Sequence, residues 1–207
     1  MSLIYTVQTI VTPEYEEEFN VWQETEHCPW LMTMPGYKRV LRLKDETIPY
    51  CYVNVWQIES MEAYRNPLRL ARAKTPWGNW LAPYRKKTTR FYQMDSHDEM
   101  QYLVENPSLQ TIVIDQFSVK CDPEWKQYLT AEYIPHLKAK KDILGVQRCH
   151  TVQTEPEPAQ VIFSGFSASF QDVAAMFSDT EQKQKDFMTR KAYSVFSRRL
   201  HGERVFL

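Results

Sequence analysis

No stretch of this chain approaches the ~20 consecutive apolar residues that a bilayer-spanning helix needs. The N-terminus has no basic segment followed by an apolar one, so no secretory signal is expected. Neither sign of charge is in excess: 25 Lys and Arg face 26 Asp and Glu, a formal net charge of −1. Without a global basic field, nucleic acid is not an expected partner, and no membrane partner is expected either. The four cysteines, Cys28, Cys51, Cys121 and Cys149, form no C-x-x-C pair and show no zinc spacing. Reduced thiols in core or loop positions, no metal and a cytoplasmic setting are the expectation. A phosphate loop, a dinucleotide fingerprint, H-E-x-x-H, an EF-hand and a nucleophile elbow are all missing. Their absence argues against common nucleotide, zinc-protease, calcium and α/β-hydrolase chemistries. The one local concentration of charge, Lys183 to Arg204, reads as a solvated helix face followed by an edge strand.

What the chain does contain is one unit twice. A hydrophobic content of 43% with 14% aromatics is enough for real cores in 207 residues. Thr12-Pro13-Glu14-Tyr15 follows the apolar run from Ile4 to Val11, and Asp122-Pro123-Glu124-Trp125 follows that from Thr111 to Val119. Gly36-Tyr37-Lys38-Arg39 is matched 109 residues on by Gly145-Val146-Gln147-Arg148, and Ser60-Met61-Glu62-Ala63 by Ser169-Phe170-Gln171-Asp172. Three landmarks in one order at nearly constant offset predict two subdomains, residues 1–98 and 111–207, with a polar connector over 99–110.

In the first copy a strand to Val11 gives way to a helix capped by Thr12, with Pro13 in its first turn and Tyr15, Phe19 and Trp22 on one face. Pro29 is expected to end that helix, or Pro35-Gly36 at the latest. Strands follow at Tyr37–Leu43 and Tyr50–Ile58, then a helix capped by Ser60, an aromatic insertion from Trp77 to Pro83, and a strand over Thr88–Met94. In the second copy the order repeats: strand Ile112–Val119, a helix after Asp122, strands Val146–Val152 and Val161–Ala168, a helix after Ser169, and a strand at Tyr193–Leu200. Each half reads β-α-β-β-α-β, the split βαβ or ferredoxin-like unit, with one sheet face covered by helices. The predicted fold is α+β: two tandem ferredoxin-like subdomains packed sheet to sheet as an intrachain α/β barrel, which buries both open faces.

On these residues the chain resembles the dimeric α/β-barrel superfamily, which includes EthD-like, NIPSNAP-like, stress-responsive A/B-barrel and antibiotic-biosynthesis monooxygenase-like domains. Glu132-Tyr133-Ile134-Pro135-His136-Leu137 looks like the end of the first helix of EthD-like domains. Ser60-Met61-Glu62-Ala63-Tyr64, running on to Pro76-Trp77, looks NIPSNAP-like. The resemblance implies membership among cofactor-free oxygenases, cyclases, isomerases and haem proteins, and fold does not choose among them.

The candidate catalytic residues are Asp115, Glu132 and His136. Strand alternation puts Val113, Asp115 and Phe117 on one face, beneath the helix. Trp125, Leu129, Glu132 and His136 recur at i, i+4, i+7 and i+11 as one stripe. A carboxylate and an imidazole meeting there suit proton transfer: Asp115 or His136 as base, Glu132 orienting the imidazole, and burial raising the Asp115 pKa. The competing reading makes Asp115 a strand-end residue and His136 a solvated helix-end histidine. The first half has no matching chemistry. Ungapped, Tyr5, Trp22 and Glu26 stand at these positions, and with Pro29 set against Pro135, Trp30 stands at His136. Trp77 and Trp80 are candidates to cap a ligand pocket, and Arg148 is a candidate anion contact. The function read from this is small-molecule binding with cofactor-independent chemistry on a planar apolar or aromatic compound, by a monomer or homodimer. The alternatives are a non-catalytic oligomerisation or interaction module and a haem protein with an axial ligand among His97, His136, His150 and His201.

Overall fold

The computed structural model describes residues 2–72, 82–95, 99–117, 123–152, 160–178 and 188–199. The fold is α+β, and the chain divides into two compact units, residues 1–91 with 196–207 and residues 92–195.

The first unit opens with β1 (Leu3–Val11) and a 3-10 turn at Pro13–Tyr15. Then come α1 (Glu16–Trp22), a π-helical turn (Gln23–His27) and α2 (Cys28–Met32). The strands β2 (Tyr37–Lys44) and β3 (Cys51–Ile58) follow. The unit continues with α3 (Met61–Tyr64), α4 (Pro67–Arg72) and β4 (Arg85–Met94), whose last three residues belong to the second unit. Strand β3 lies between β1 and β2, antiparallel to both, and every one of its side chains is buried. Ser60 caps α3 by accepting from Ala63 N, whereas Thr12 makes no capping bond.

The second unit begins with α5 (Glu99–Glu105) and β5 (Thr111–Phe117). Next are α6 (Pro123–Tyr128), a π turn (Leu129–Tyr133) and α7 (Ile134–Lys138). It continues with β6 (Ile143–Thr151), β7 (Gln160–Phe166), α8 (Phe170–Ser178) and β8 (Met188–Arg199), whose last four residues belong to the first unit. Strand β7 pairs with β5 and β6, and β5 also pairs with β8, all antiparallel. Val113, Phe117, Leu129, Tyr133, Leu137, Ile162, Phe166 and Val173 make one buried cluster. Full burial of each large apolar member contributes about 1.5–3 kcal/mol. The predicted polar connector holds more than polarity, since α5 buries Met100, Leu103 and Val104. It approaches the sheet so closely that a Cβ on Gly165 would lie 2.4 Å from Leu103 Cδ2.

Neither Pro29 nor Pro135 stops its helix. Each stands in the first turn of the segment after a π turn, in α2 and in α7. There the missing N–H and the ring are tolerated, because the widened turn has already broken the i→i−4 ladder. The π turn also inserts a residue and so rotates every later side chain. The buried stripe of the second unit therefore runs Trp125, Leu129, Tyr133, Leu137, and Glu132 and His136 are turned out of the core.

The register of the repeat also differs from the expected one. The left-handed residue before β2 is Gly36, at φ 83°, and the one before β6 is Asp142, at φ 61°, not Gly145. The carbonyl of each accepts from the start of the next crossover, Gly36 O from Glu59 N and Asp142 O from Ser167 N. At Gly36 a Cβ would lie 2.6 Å from Ala63 Cβ, so glycine is required there. Bulges at Tyr37/Arg39 and Ile143/Gly145 then match each other, which makes Arg42, not Arg39, the counterpart of Arg148. The same pairings put Val7 opposite Asn54 and Asp115 opposite Ile162, so Val7 stands where Asp115 stands.

A buried aspartate, arginine and tyrosine beneath a groove

In the second unit Asp115 is fully buried beneath the helix, on the face it shares with Val113 and Phe117. An isolated carboxylate there would be prohibitively costly. The neighbouring strand supplies the compensation, because Arg190 stands opposite Asp115 in the β5–β8 register. Arg190 Nε donates to Asp115 Oδ1 at 2.6 Å and Nη2 to Oδ2 at 3.2 Å, a two-pronged pair. The Tyr133 hydroxyl donates to Asp115 Oδ2 at 2.7 Å and accepts from Arg190 Nη2. Burial first, then the Asp115 charge, pushes the Tyr133 phenol far above its ordinary range, so it stays a proton donor at every working pH.

Above this network lies a groove of about 370 Å3 lined by Tyr128, Glu132, Tyr133, His136, Lys140, Phe177 and Arg190. Glu132 and His136, one helical turn apart, are exposed along one wall. Arg190 Cζ lies 4.0 Å from the Phe177 ring centre and Lys140 Nζ lies 4.6 Å from it. Asp115 supports this groove but is not among its lining residues. Tyr133 and Arg190 were not singled out as site residues from sequence. The π turn brings Tyr133 inward, and the last strand starts at Met188 rather than Tyr193. Arg190, assigned to a solvated basic helix face, is therefore a strand residue paired with a buried carboxylate. The signal that could have found it is that a buried aspartate needs a cation.

Arg148 is engaged elsewhere in the second unit. It donates to Gln160 Oε1 at 2.9 Å, Thr130 Oγ1 at 3.1 Å and Asp95 Oδ2 at 2.8 Å, while Asp95 also holds His150 Nδ1. It does not line the groove. Trp77, Trp80, His97, Cys121 and His201 lie outside the described residues.

The first unit buries an arginine too. Arg42 is wholly inaccessible and donates to Glu24 Oε1 at 3.0 Å, Asn20 Oδ1 at 2.7 Å and Asn54 Oδ1 at 3.3 Å. A second groove of about 370 Å3 is lined there by Glu16, Glu17, Asn20, Val21, Glu24 and Tyr52. The Tyr52 hydroxyl donates to Glu16 at 2.6 Å, and burial with that bond pushes its phenol up to about 12. At the end of the first helix His27 stacks on Trp22, and buried Cys28 contacts Gln23. Among the described residues no three His, Cys, Asp or Glu side chains converge as metal ligands.

No family description matches the chain, and no curated protein matches it in sequence. Solved structures do match. An anthrone oxidase-like protein is 12% identical, with a TM-score of 0.69, covering 99% of this chain and 95% of its own. A proposed monooxygenase from Fusobacterium nucleatum is 10% identical, with a TM-score of 0.60 and coverage of 100% and 96%. A chlorite dismutase from Candidatus Nitrospira defluvii is 8% identical, with a TM-score of 0.62 and coverage of 94% and 91%. At these identities the likeness shows a shared fold and nothing of the chemistry. No helix among the described residues is long and apolar enough to cross a membrane.

Proposed function

We propose that the groove of the second unit binds a planar, largely aromatic small molecule and moves a proton from it at His136 without a cofactor. The observation that carries this reading is the groove itself. It sets an exposed imidazole and a carboxylate, His136 and Glu132, beside a wall of Tyr128 and Phe177 over a fixed ion pair. An exposed imidazole in hydrogen-bond reach of a bound ligand can take a proton from it. Asp115 changes role relative to the sequence expectation. Both its oxygens are engaged, so it positions Arg190 and Tyr133 and leaves the base to His136. Arg190 is then placed to face negative charge that develops on the ligand after deprotonation.

The anthrone oxidase-like neighbour suggests the probe. Anthrone carries an acidic methylene between two rings, and its deprotonation gives an aromatic enolate. Anaerobic incubation of the protein with anthrone in deuterated buffer, followed by NMR, reads that proton transfer directly. Exchange faster than in buffer, and lost in His136→Gln with unchanged melting, supports the reading; exchange no faster than in buffer overturns it.

The same reading takes the chain as a tandem duplication of an EthD-like or NIPSNAP-like unit over residues 1–98 and 111–207. Its support is the repeated π turn before a proline, the paired bulges, and Arg42 set against Arg148. Two of the candidate axial histidines, His136 and His150, lie among the described residues. His136 has no ring-nitrogen partner among the described residues, and an axial histidine needs its other nitrogen anchored. His150 is anchored by Asp95 but lines neither groove.

A further inference from the structure

Apart from either groove, we infer that Tyr15 and Tyr84 of the first unit are a site of oxidative cross-linking, where a peroxide acting through a peroxidase joins the two rings as dityrosine and clasps the unit shut. One residue positions both. Tyr84 closes a 3-10 turn at Ala82–Tyr84, and its carbonyl accepts from Thr12 N at 2.9 Å. The Thr12 carbonyl accepts in turn from Tyr15 N at 3.0 Å. Thr12 thus sets the two tyrosines side by side, and their rings stack with centres 4.1 Å apart and planes 24° apart. The two hydroxyls are hydrogen-bonded to each other, so the rings lie head to head and the carbons beside each hydroxyl come together. An oxidant in solvent can reach the pair, since Tyr84 is exposed and Tyr15 half-buried.

The chemistry balances with one peroxide. Each phenol gives up one electron and one proton, and the peroxide takes both pairs and leaves as two waters. The two phenoxyl radicals form a carbon–carbon bond ortho to each oxygen, and the ortho hydrogens move to the oxygens to restore both phenols. Coupling requires two radicals to meet, so a pair already in contact has the effective concentration of an intramolecular step. Other tyrosine contacts are less apt. Tyr5, itself buried, meets Tyr37 and Tyr64 edge-on at 6.3 and 5.2 Å, and Tyr128 lies 6.2 Å from Tyr133. The new bond would tie the turn that leads into α1 to the turn that leads into β4, closing a long loop.

The test treats the dilute full chain with hydrogen peroxide and a peroxidase, and maps cross-links by peptide mass spectrometry alongside dityrosine fluorescence. A Tyr15–Tyr84 peptide pair lighter by two hydrogens is expected, in about tenfold or greater excess over any pair that includes exposed Tyr50 or Tyr102. Denaturing the chain first is expected to erase that preference, and Tyr84→Phe to abolish this cross-link without changing the melting temperature of the untreated protein. The cross-linked protein is expected to melt about 5 °C or more higher than the untreated one. No cross-link, cross-links spread evenly over the other tyrosines, or Tyr15 cross-linked elsewhere as readily in Tyr84→Phe overturns the site. A Tyr15–Tyr84 bond that leaves the melting temperature unchanged overturns the clasp.

Discussion

Each unit holds an arginine against a carboxylate, and the two solve the same electrostatic problem in opposite directions. In the first, Arg42 comes from β2 and its carboxylate, Glu24, from the π turn of the helix above, with two amide oxygens completing the fork. In the second, both charges, Asp115 and Arg190, come from adjacent strands, and the helix contributes only a hydroxyl. The consequence is visible at the surface. Where the helix supplies the acid, its groove is walled by Glu16, Glu17 and Glu24. Where the sheet supplies it, the helix is released to present Glu132, His136 and Lys140. One fold thus offers an acidic groove in one unit and a groove of mixed charge in the other.

The comparison breaks hardest at Asp115. Asp115→Ala leaves Arg190 with its buried partner removed, and should cost about 3–5 kcal/mol in a denaturant titration. Glu24→Ala should cost less, about 2 kcal/mol, since Arg42 keeps both amide acceptors. A Glu24→Ala loss as large as that of Asp115→Ala would show that the amides do not compensate. Thr130, the Arg148 partner at the place of Glu24, is exposed and neutral, so Thr130→Ala should stay within about 0.5 kcal/mol. A larger loss there would make the Arg148 network a second supporting pair. The finest test is spectroscopic. Alkaline difference absorption should show a tyrosine titrating near 12, absent in Tyr52→Phe. Because the folded phenol holds its proton more tightly than the unfolded one, this contribution is present below pH ~10 and is lost as pH rises toward 12.

Much of this architecture is legible in the residues. The order of strands and helices follows from alternating and 3.6-residue periods, and Asp115 beneath the helix follows from alternation with Val113 and Phe117. Two local features are not. A π turn leaves no periodic signature of its own, and its single inserted residue turns Tyr133 inward where an unbroken helix would turn Glu132. A shared Gly-x-x-Arg sets Gly145 against Gly36 and Arg148 against Arg39, yet the left-handed residue before β6 is Asp142, an aspartate whose short side chain tolerates that conformation, and the matching bulges pair Arg148 with Arg42. The basic segment ending the chain looked like a solvated helix because charge was read without its partner.

By itself the sequence determined the α+β alternation and set a carboxylate, Asp115, on one face of a strand with Val113 and Phe117. These are properties of each residue and its near neighbours along the chain. Only the tertiary structure decided which cation meets Asp115, since that partner lies 75 residues away and is chosen by strand register. It also decided which side chains reach the groove, because one extra residue in a helical turn rotates all that follow it.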